Sequence, residues 1–498
     1  MSGHKSFLNS IKWSYTANWG EKGFSSLFAV VLAAILGPRD FGVVAIATVY
    51  VAFLSMFLDQ GFMTALIQRK ELEPQHLDAV FWMDQVLSVV LVGASIFFGG
   101  WWASRNHAPG AGLIISVLSL CIPIRALASI QNAILQREMD FKSLAIRANI
   151  SVLASGVIGL GMAFAGLRVW ALVGQQISKE FVALVLLWRL SHWRPNFEFS
   201  WKHLKELTGF SVSNFVAQLA LFAEAQSSSV LLGLLFGPVS VGLYRLADKI
   251  SNSVVNAATS SVQAVSLPEF SRHQNRPKEL RRSVLTCIRL SSAITLPALA
   301  GLAAVSRPLM ATIGASWLPA SGVLKILCAL SMALIFAYFT GPLLQALSRP
   351  HQLAVLEWAR VAVGTGILVL AGVLVRHSDM TRQLMGIALA RFATGALLVT
   401  PVFLYLLLRL CKISLRELAL TVWPSATSAV SVVAALALFE SSGWLRSGKP
   451  LVLLLAEVAL GGAVGIMVLL ALETSLRQSV RGMLQRSFGR EAISNGLA

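Results

Sequence analysis

Apolar runs of about 20 residues recur along the whole 498-residue chain, and this recurrence limits the fold more than any other feature. Each run is long enough to cross the ~30 Å hydrocarbon core of a bilayer as a helix. Only 13% of the residues are charged, against about 25% in soluble globular proteins. The fold class is therefore all-α integral membrane protein, since in lipid the backbone must satisfy its own hydrogen bonds. We read about fourteen transmembrane helices, at roughly 13–36, 41–64, 79–102, 112–135, 146–166, 169–190, 207–236, 240–268, 284–305, 320–346, 352–375, 383–408, 415–438 and 449–472. The first and eighth are the most polar. No connection between them is long enough to hold a soluble domain.

The formal net charge of +18 would point to nucleic acid in a soluble chain. Here the loops are too short for that, and topology absorbs much of the excess. Of the connecting Lys and Arg, 23 lie at the N-terminus, the even-to-odd loops and the C-terminus, and 8 in the alternate loops. Positive charge stays cytoplasmic. Both termini of this multi-pass protein are expected in the cytoplasm. The basic tail, 476–498, is expected to lie on anionic membrane lipids.

Two stretches repeat. GPRDFGVVAIATVY at 37–50 and GPVSVGLYRLADKI at 237–250 share Gly, Pro, Gly and Ala in unbroken register. Ile134-Leu135-Gln136 and Leu144-Ala145 recur as Leu343-Leu344-Gln345 and Leu353-Ala354. Both matches pair spans of the same direction, six spans per unit. They predict two parallel six-helix lobes around a central cavity, 1–200 and 201–410, followed by two additional helices, 411–475. The copies differ in charge: Arg245, Asp248 and Lys249 stand where the first copy has Ala45, Thr48 and Val49.

A charge at bilayer depth costs about 2.5–3.5 kcal/mol on insertion scales, so such groups face protein or a wet cavity. Ten cations and eight acids fall inside the spans. Snorkelling at a helix end suits Arg147, Arg289 and Lys325, and partly Arg360. Lys22, Arg125, Lys179, Lys249 and Arg391 sit deeper. We expect Lys22, Lys179, Arg245 and Lys249 to line a cavity biased toward anionic cargo, since Lys and Arg bind phosphate. The alternative is that Arg245 and Asp248 neutralise each other one turn apart. Glu21, Glu224 and Asp248 are candidates for ion coupling. Glu224 reads equally as a structural partner for Lys22 or Lys249.

Catalytic, metal and cofactor motifs are missing. The four cysteines, Cys121, Cys287, Cys328 and Cys411, are far apart, and the eight histidines show no metal-ligand spacing. GWLRSGK at 443–449 nearly matches a phosphate-binding loop, but Pro450 replaces the residue that should reach Mg²⁺, and no strand precedes it. We expect no enzyme, no metal, no cofactor and no nucleic acid.

Several segments carry a family resemblance: FGVVAIATVYVAFLSMFLDQGFMTALIQRKELEPQHLDAVFW (41–82), ILQREMDFKSLAIR (134–147), VWALVGQQ (169–176), LLWRLSHWRPNFEFSW (186–201) and VGLYRLADKI (241–250). Together they resemble bacterial polysaccharide flippases of the multidrug/oligosaccharidyl-lipid/polysaccharide exporter superfamily. The resemblance is to exopolysaccharide and O-antigen exporters of the colanic-acid type, and covers most of 1–410. It implies translocation of undecaprenyl-diphosphate-linked oligosaccharide, with a polysaccharide polymerase and glycosyltransferases as partners. No catalytic residue is implied, because flipping breaks no bond. A peptidoglycan lipid-precursor flippase and a cation-coupled multidrug antiporter of the same fold remain alternatives.

Overall fold

In the computed structural model, residues 2–58, 62–69, 73–442 and 450–473 are described. Asp59, the phosphate-loop look-alike at 443–449 and the basic tail lie outside them. Among the described residues there is no strand, and twelve helical stretches are long and apolar enough to cross a membrane. The chain forms two compact units.

The first unit comprises Met1–Ser253, Ile313–Val323 and Ala354–Thr394. It holds α1 (Ser2–Leu58), α2 (Phe62–Gln68), α3 (Pro74–Arg105), α4 (Ala111–Leu118), α5 (Cys121–Arg137), α6 (Phe141–Phe164), α7 (Val169–Leu190), α8 (Trp201–Phe236) and the first half of α9 (Pro238–Arg272). The second comprises Val254–Thr312, Leu324–Leu353 and Gly395–Ala498. It holds the rest of α9, α10 (Pro277–Ala304), α11 (Ser306–Ile313) and most of α12 (Ala320–Ala333) and α13 (Ala337–Ala346). After α14 (Pro350–Leu374) and α15 (Met380–Ala393), which belong largely to the first unit, the chain returns to the second with α16 (Thr400–Cys411), α17 (Leu415–Ser441) and α18 (Pro450–Leu472).

Helix faces are sorted by size rather than by polarity. α3 buries Ser88, Ser95, Gly99 and Ala103 while exposing Val86, Val89, Val90, Ile96 and Phe97. α6 buries Ala148, Ser151, Ser155, Gly156 and Gly159. Lipid is as apolar as leucine, so large side chains gain little by turning inward; small ones let helices approach closely and gain packing. In the second unit the same rule holds: Glu457, Gly461 and Gly465 form the buried stripe of α18, and Ser428 of α17 donates to the Gly465 carbonyl at 3.0 Å. Its core, built on Phe270, Val284, Ile288, Phe339, Leu343 and Leu407, ties α9, α10, α13 and α16 together.

The repeated Gly-Pro is where the first unit turns. α1 is two helical segments joined at a kink, where Gly37 is non-helical at φ 79°, ψ 168°. Gly237, which ends α8, has φ 79°, ψ −172°. Only glycine adopts this region without strain, and each is followed by a proline that starts a helix with φ already fixed. The helices that follow then cross. A Cβ on Gly42 would collide with the Pro238 carbonyl oxygen and lie 3.0 Å from the Gly242 amide nitrogen. A Cβ on Gly242 would collide with the Pro38 carbonyl oxygen and lie 3.0 Å from the Gly42 amide nitrogen. The contact is reciprocal: equivalent residues of the two copies occupy equivalent places in it. Nearby, the Trp317 indole, almost fully buried, donates to the Ala33 carbonyl at 2.9 Å and stacks edge-on against Phe41.

Candidate functional site

The charged groups of the first unit form three sets, built by helices far apart in sequence. In the first set, α7 presents consecutive residues to two other helices. Lys179 Nζ lies 2.7 Å from Glu21 of α1, and Glu180 lies 2.6 Å from Arg125 of α5. These pairs line a cavity of about 280 Å³ together with Arg147, Asn132 and Ser151. Glu21 is therefore ion-paired to Lys179. Arg147, expected to snorkel at a helix end, is instead a wall of this cavity.

The second set centres on Glu224 of α8. Its Oε1 is 2.6 Å from Arg360 of α14 and 3.2 Å from Arg391 of α15. Arg391 also donates to the Glu224 carbonyl at 3.2 Å and to Ser228 Oγ at 3.1 Å, and Arg360 reaches Glu357 at 3.2 Å. Two cations and two carboxylates balance. The partners of Glu224 are thus these arginines rather than Lys22 or Lys249, and Arg360 is paired rather than snorkelling. The pairing was out of reach in sequence because it spans 136 and 167 positions. The available signal was a matching deficit: Glu224 has no cation in its own span, and Arg391 has no acid in its own.

The third set is the charged stripe of α9. Arg245 donates to Gln226 at 3.1 Å, and among the described residues no Arg245–Asp248 ion pair forms. The alternative of simple neutralisation one turn apart is incomplete: besides Arg245, the charges beside Asp248 are Arg391 of α15 and Glu224 of α8, and its side chain bonds Asn252 of α9. Lys249 is exposed, and Arg245 and Lys179 are the cations near it, beside the adjacent Asp248 and the Glu21 that pairs with Lys179. A hydroxyl bridge sets the level of the stripe. Ser26 and Ser253 meet at 2.6 Å, Ser26 lies 2.8 Å from the Lys22 carbonyl, and Ser253 lies 2.6 Å from the Lys249 carbonyl. Lys22 and Lys249, each one turn before its serine, are thereby held at matching heights on adjacent helices. Of the candidate cations, Lys179, Arg245 and Lys249 share one electrostatic neighbourhood, and Lys22 adjoins it through this bridge.

Sequence reading missed a fourth cluster, at the starts of α3 and α8. Glu73 and His76, three apart, face His203 and Glu206, three apart in the mirrored order. His203 Nε2 is 3.2 Å from Glu73, and His76 Nε2 is 3.4 Å from Glu206, which also pairs with Arg69. Glu73, His76 and His203 have the donor atoms of a small metal site. Yet His76 Nδ1 already accepts from the Glu73 amide while capping α3. With both ring nitrogens engaged, the group acts as a polar clasp. The Arg69 guanidinium, and then His76, hold the Glu206 carboxyl below the usual range.

An all-α membrane fold carrying paired charges and a cationic stripe inside its helices is that of a multi-pass transporter. Residues 31–322 match the family described as Polysaccharide biosynthesis protein, and the chain belongs to that family. The succinoglycan biosynthesis transport protein ExoT of Rhizobium meliloti is 26% identical over 65% of this chain and 66% of its own length. The lipopolysaccharide biosynthesis protein WzxC of Escherichia coli is 23% identical over 70% of this chain and 72% of its own. The matched stretch thus spans about two thirds of these relatives. Among solved structures, the lipid II flippase MurJ in an inward closed conformation superimposes with a TM-score of 0.71 at 14% identity, covering 93% of this chain and 98% of its own. An inward-facing multidrug resistance MATE transporter superimposes with a TM-score of 0.54 at 16% identity, over 81% and 96%. At such identities the likeness is one of fold.

Proposed function

We propose that this protein translocates undecaprenyl-diphosphate-linked oligosaccharide repeat units across the bacterial inner membrane, for O-antigen or exopolysaccharide synthesis. Membership of the polysaccharide biosynthesis family supports the cargo class, as do relatives named for the transport of succinoglycan and the biosynthesis of lipopolysaccharide. The fold shared with a lipid II flippase supports movement of a lipid-linked sugar. The observation that carries the site is Lys249, an exposed cation on a membrane helix with two further cations, Arg245 and Lys179, near it. Such a field favours an anion, and a diphosphate suits it. Lys22, Lys179 and Arg245 extend the surface, and Asp248 limits how tightly the anion is held. The polyprenyl tail stays in lipid, no bond is broken, and the protein is not an enzyme. Polymerase and glycosyltransferases act before and after it.

The reading includes fourteen crossings. Gly20–Leu58 would be ~58 Å long as one helix, twice the hydrocarbon core, and the break at Gly37 supports two crossings there. The polar α9 supplies the other. Both termini and the loop Ser271–Arg282 are then cytoplasmic, the lobes are 1–200 and 201–410, and 411–475 adds two helices. Cysteines placed at Asn275 and Asn106 should label from opposite sides; labelling of both from the periplasm overturns the orientation. A multidrug antiporter would call for carboxylates open to cation exchange, whereas Glu21 and Glu224 are held by Lys179, Arg360 and Arg391.

The site test is neutralisation. Lys249→Gln and Lys22→Gln should impair polysaccharide export severalfold with membrane insertion intact, and Lys→Arg at either position should retain part of it. Normal export by the Gln variants would make these cations structural.

A further inference from the structure

The cavity enclosed by α1, α5, α6 and α7 holds one charge more than its pairs account for. Among the described residues, three cations and two carboxylates line it. Lys179 takes Glu21 at 2.7 Å, and Arg125 takes Glu180 at 2.6 Å. Arg147 of α6 is left over. Its guanidinium makes no ion pair among the described residues, and its Nε is buried without a hydrogen-bond partner. Asp84 does not line the cavity; it accepts from Ser129 at 3.0 Å, behind the wall. A guanidinium N–H taken out of water and left unbonded is costly, so this arrangement calls for an acceptor in the cavity.

We infer that this cavity is an oxyanion site centred on Arg147, adjoining the stripe on α9 through Lys179, and that it takes one phosphate or carboxylate group. The inference rests on the reading that the cargo is an anionic lipid-linked glycan. Geometry narrows the ligand. Guanidinium donors match the planar spread of oxyanion acceptors. Asn132 Oδ1 is also buried and unpartnered, and can accept from a hydroxyl beside the anion. At about 280 Å³ the space has room for one such group. Two parts of the cargo carry such a group: the diphosphate, and an acidic sugar. Flanking by two closed ion pairs keeps the local field from collapsing when the anion leaves.

The test uses the full-length protein in detergent with a cysteine at Ala183, a cavity-lining position, since the four native cysteines are buried. An anionic and a cationic methanethiosulfonate of similar size are compared. Arg147→Gln should lower the anionic-to-cationic rate ratio by about fivefold, the factor for losing one nearby charge in a wet site, and Arg147→Lys should preserve it. Inorganic phosphate and glucuronate are then added in turn as protectants. Protection by glucuronate alone assigns the cavity to an acidic sugar, and protection by phosphate alone to the diphosphate. A ratio unchanged by Arg147→Gln overturns the proposal, as does labelling slowed by neither anion; the second criterion needs only the Ala183→Cys protein, so it stands if Arg147→Gln fails to fold. Export assays separate this from the flippase reading. Intact anion protection with no support of polysaccharide export would sink the flippase reading and leave the cavity standing.

Discussion

The two copies of the Gly-Pro motif share a backbone and differ in their chemistry. After Gly37 and after Gly237 the chain makes the same turn, and the helices that follow meet at Gly42 and Gly242 in a contact each copy supplies half of. Beyond that point the first copy stays apolar, with Val49 buried, whereas the second carries Arg245, Asp248 and Lys249, with Lys249 exposed. The crossing is common to both copies, and the residues one and two turns further along each helix are where the copies diverge in charge. Charges inside the first unit divide in the same way. Those around Glu224 are balanced and join α8 to α14 and α15, whereas Lys249 lies exposed near Arg245 and Lys179 and makes no ion pair among the described residues.

The crossing offers the largest effect by which to break this comparison. Gly42→Leu or Gly242→Leu drives a side chain into a facing carbonyl group. Overpacking ordinarily costs ~1–3 kcal/mol, and more where backbone must move. We expect little folded protein from either variant in detergent-stability assays, and similar losses from both. Tolerance of one and not the other would deny the reciprocity.

Next is the balanced cluster. Glu224→Gln removes the carboxylate that Arg360 and Arg391 share; for a half-buried cluster the cost should lie between the ~1 kcal/mol of an exposed pair and the ~3 kcal/mol of a buried one. Thermal stability should fall, with partial recovery on adding Arg391→Gln. Recovery would mark the cluster as a fastener; stability unchanged by Glu224→Gln alone would remove that role.

Exchanging chemistry between the copies is the third test. Val49→Lys places a charge in a buried, apolar setting and should cost roughly 2.5 kcal/mol, whereas Lys249→Val should leave insertion and stability unchanged and reduce export. Equal penalties for the two would erase the distinction between the copies.

The smallest effect is at the clasp of α3 and α8. Because Arg69 and His76 hold the Glu206 carboxyl below its unfolded value, that contact adds stability above the ordinary Glu range and loses it as pH falls through the lowered value. Protection of amides at the starts of α3 and α8 against hydrogen exchange should weaken on acidification, less so in Glu206→Gln. Identical pH profiles would assign the acid sensitivity elsewhere.

The span pattern and the paired Gly-Pro were legible because each is local: one is a run, the other a fixed register. The cationic bias was legible too, since a charge in a membrane helix announces its cost wherever its partner lies. The partners themselves were not. Helical spacing put Asp248 beside Arg245, but not the Gln226 that α8 supplies to that arginine or the Arg391 of α15 whose charge also acts on that aspartate. Glu224 and its arginines, and the mirrored Glu-His pairs at 73–76 and 203–206, join positions that only tertiary packing brings together. Arg147 misled for a related reason: nearness to a helix end suggested escape to water, but α6 turns that face toward α5 and α7.

The side-chain-free crossing at Gly42 and Gly242 also has an entropic consequence. Forming most helix contacts freezes rotamers, a cost glycine does not carry. Two backbones that touch directly can separate and rejoin without any search through side-chain conformers, held in the interval by weak dispersion and Cα–H···O contacts of less than about 1 kcal/mol each. A joint of this kind is specific in position yet inexpensive to work repeatedly, and its tightness should vary little with temperature.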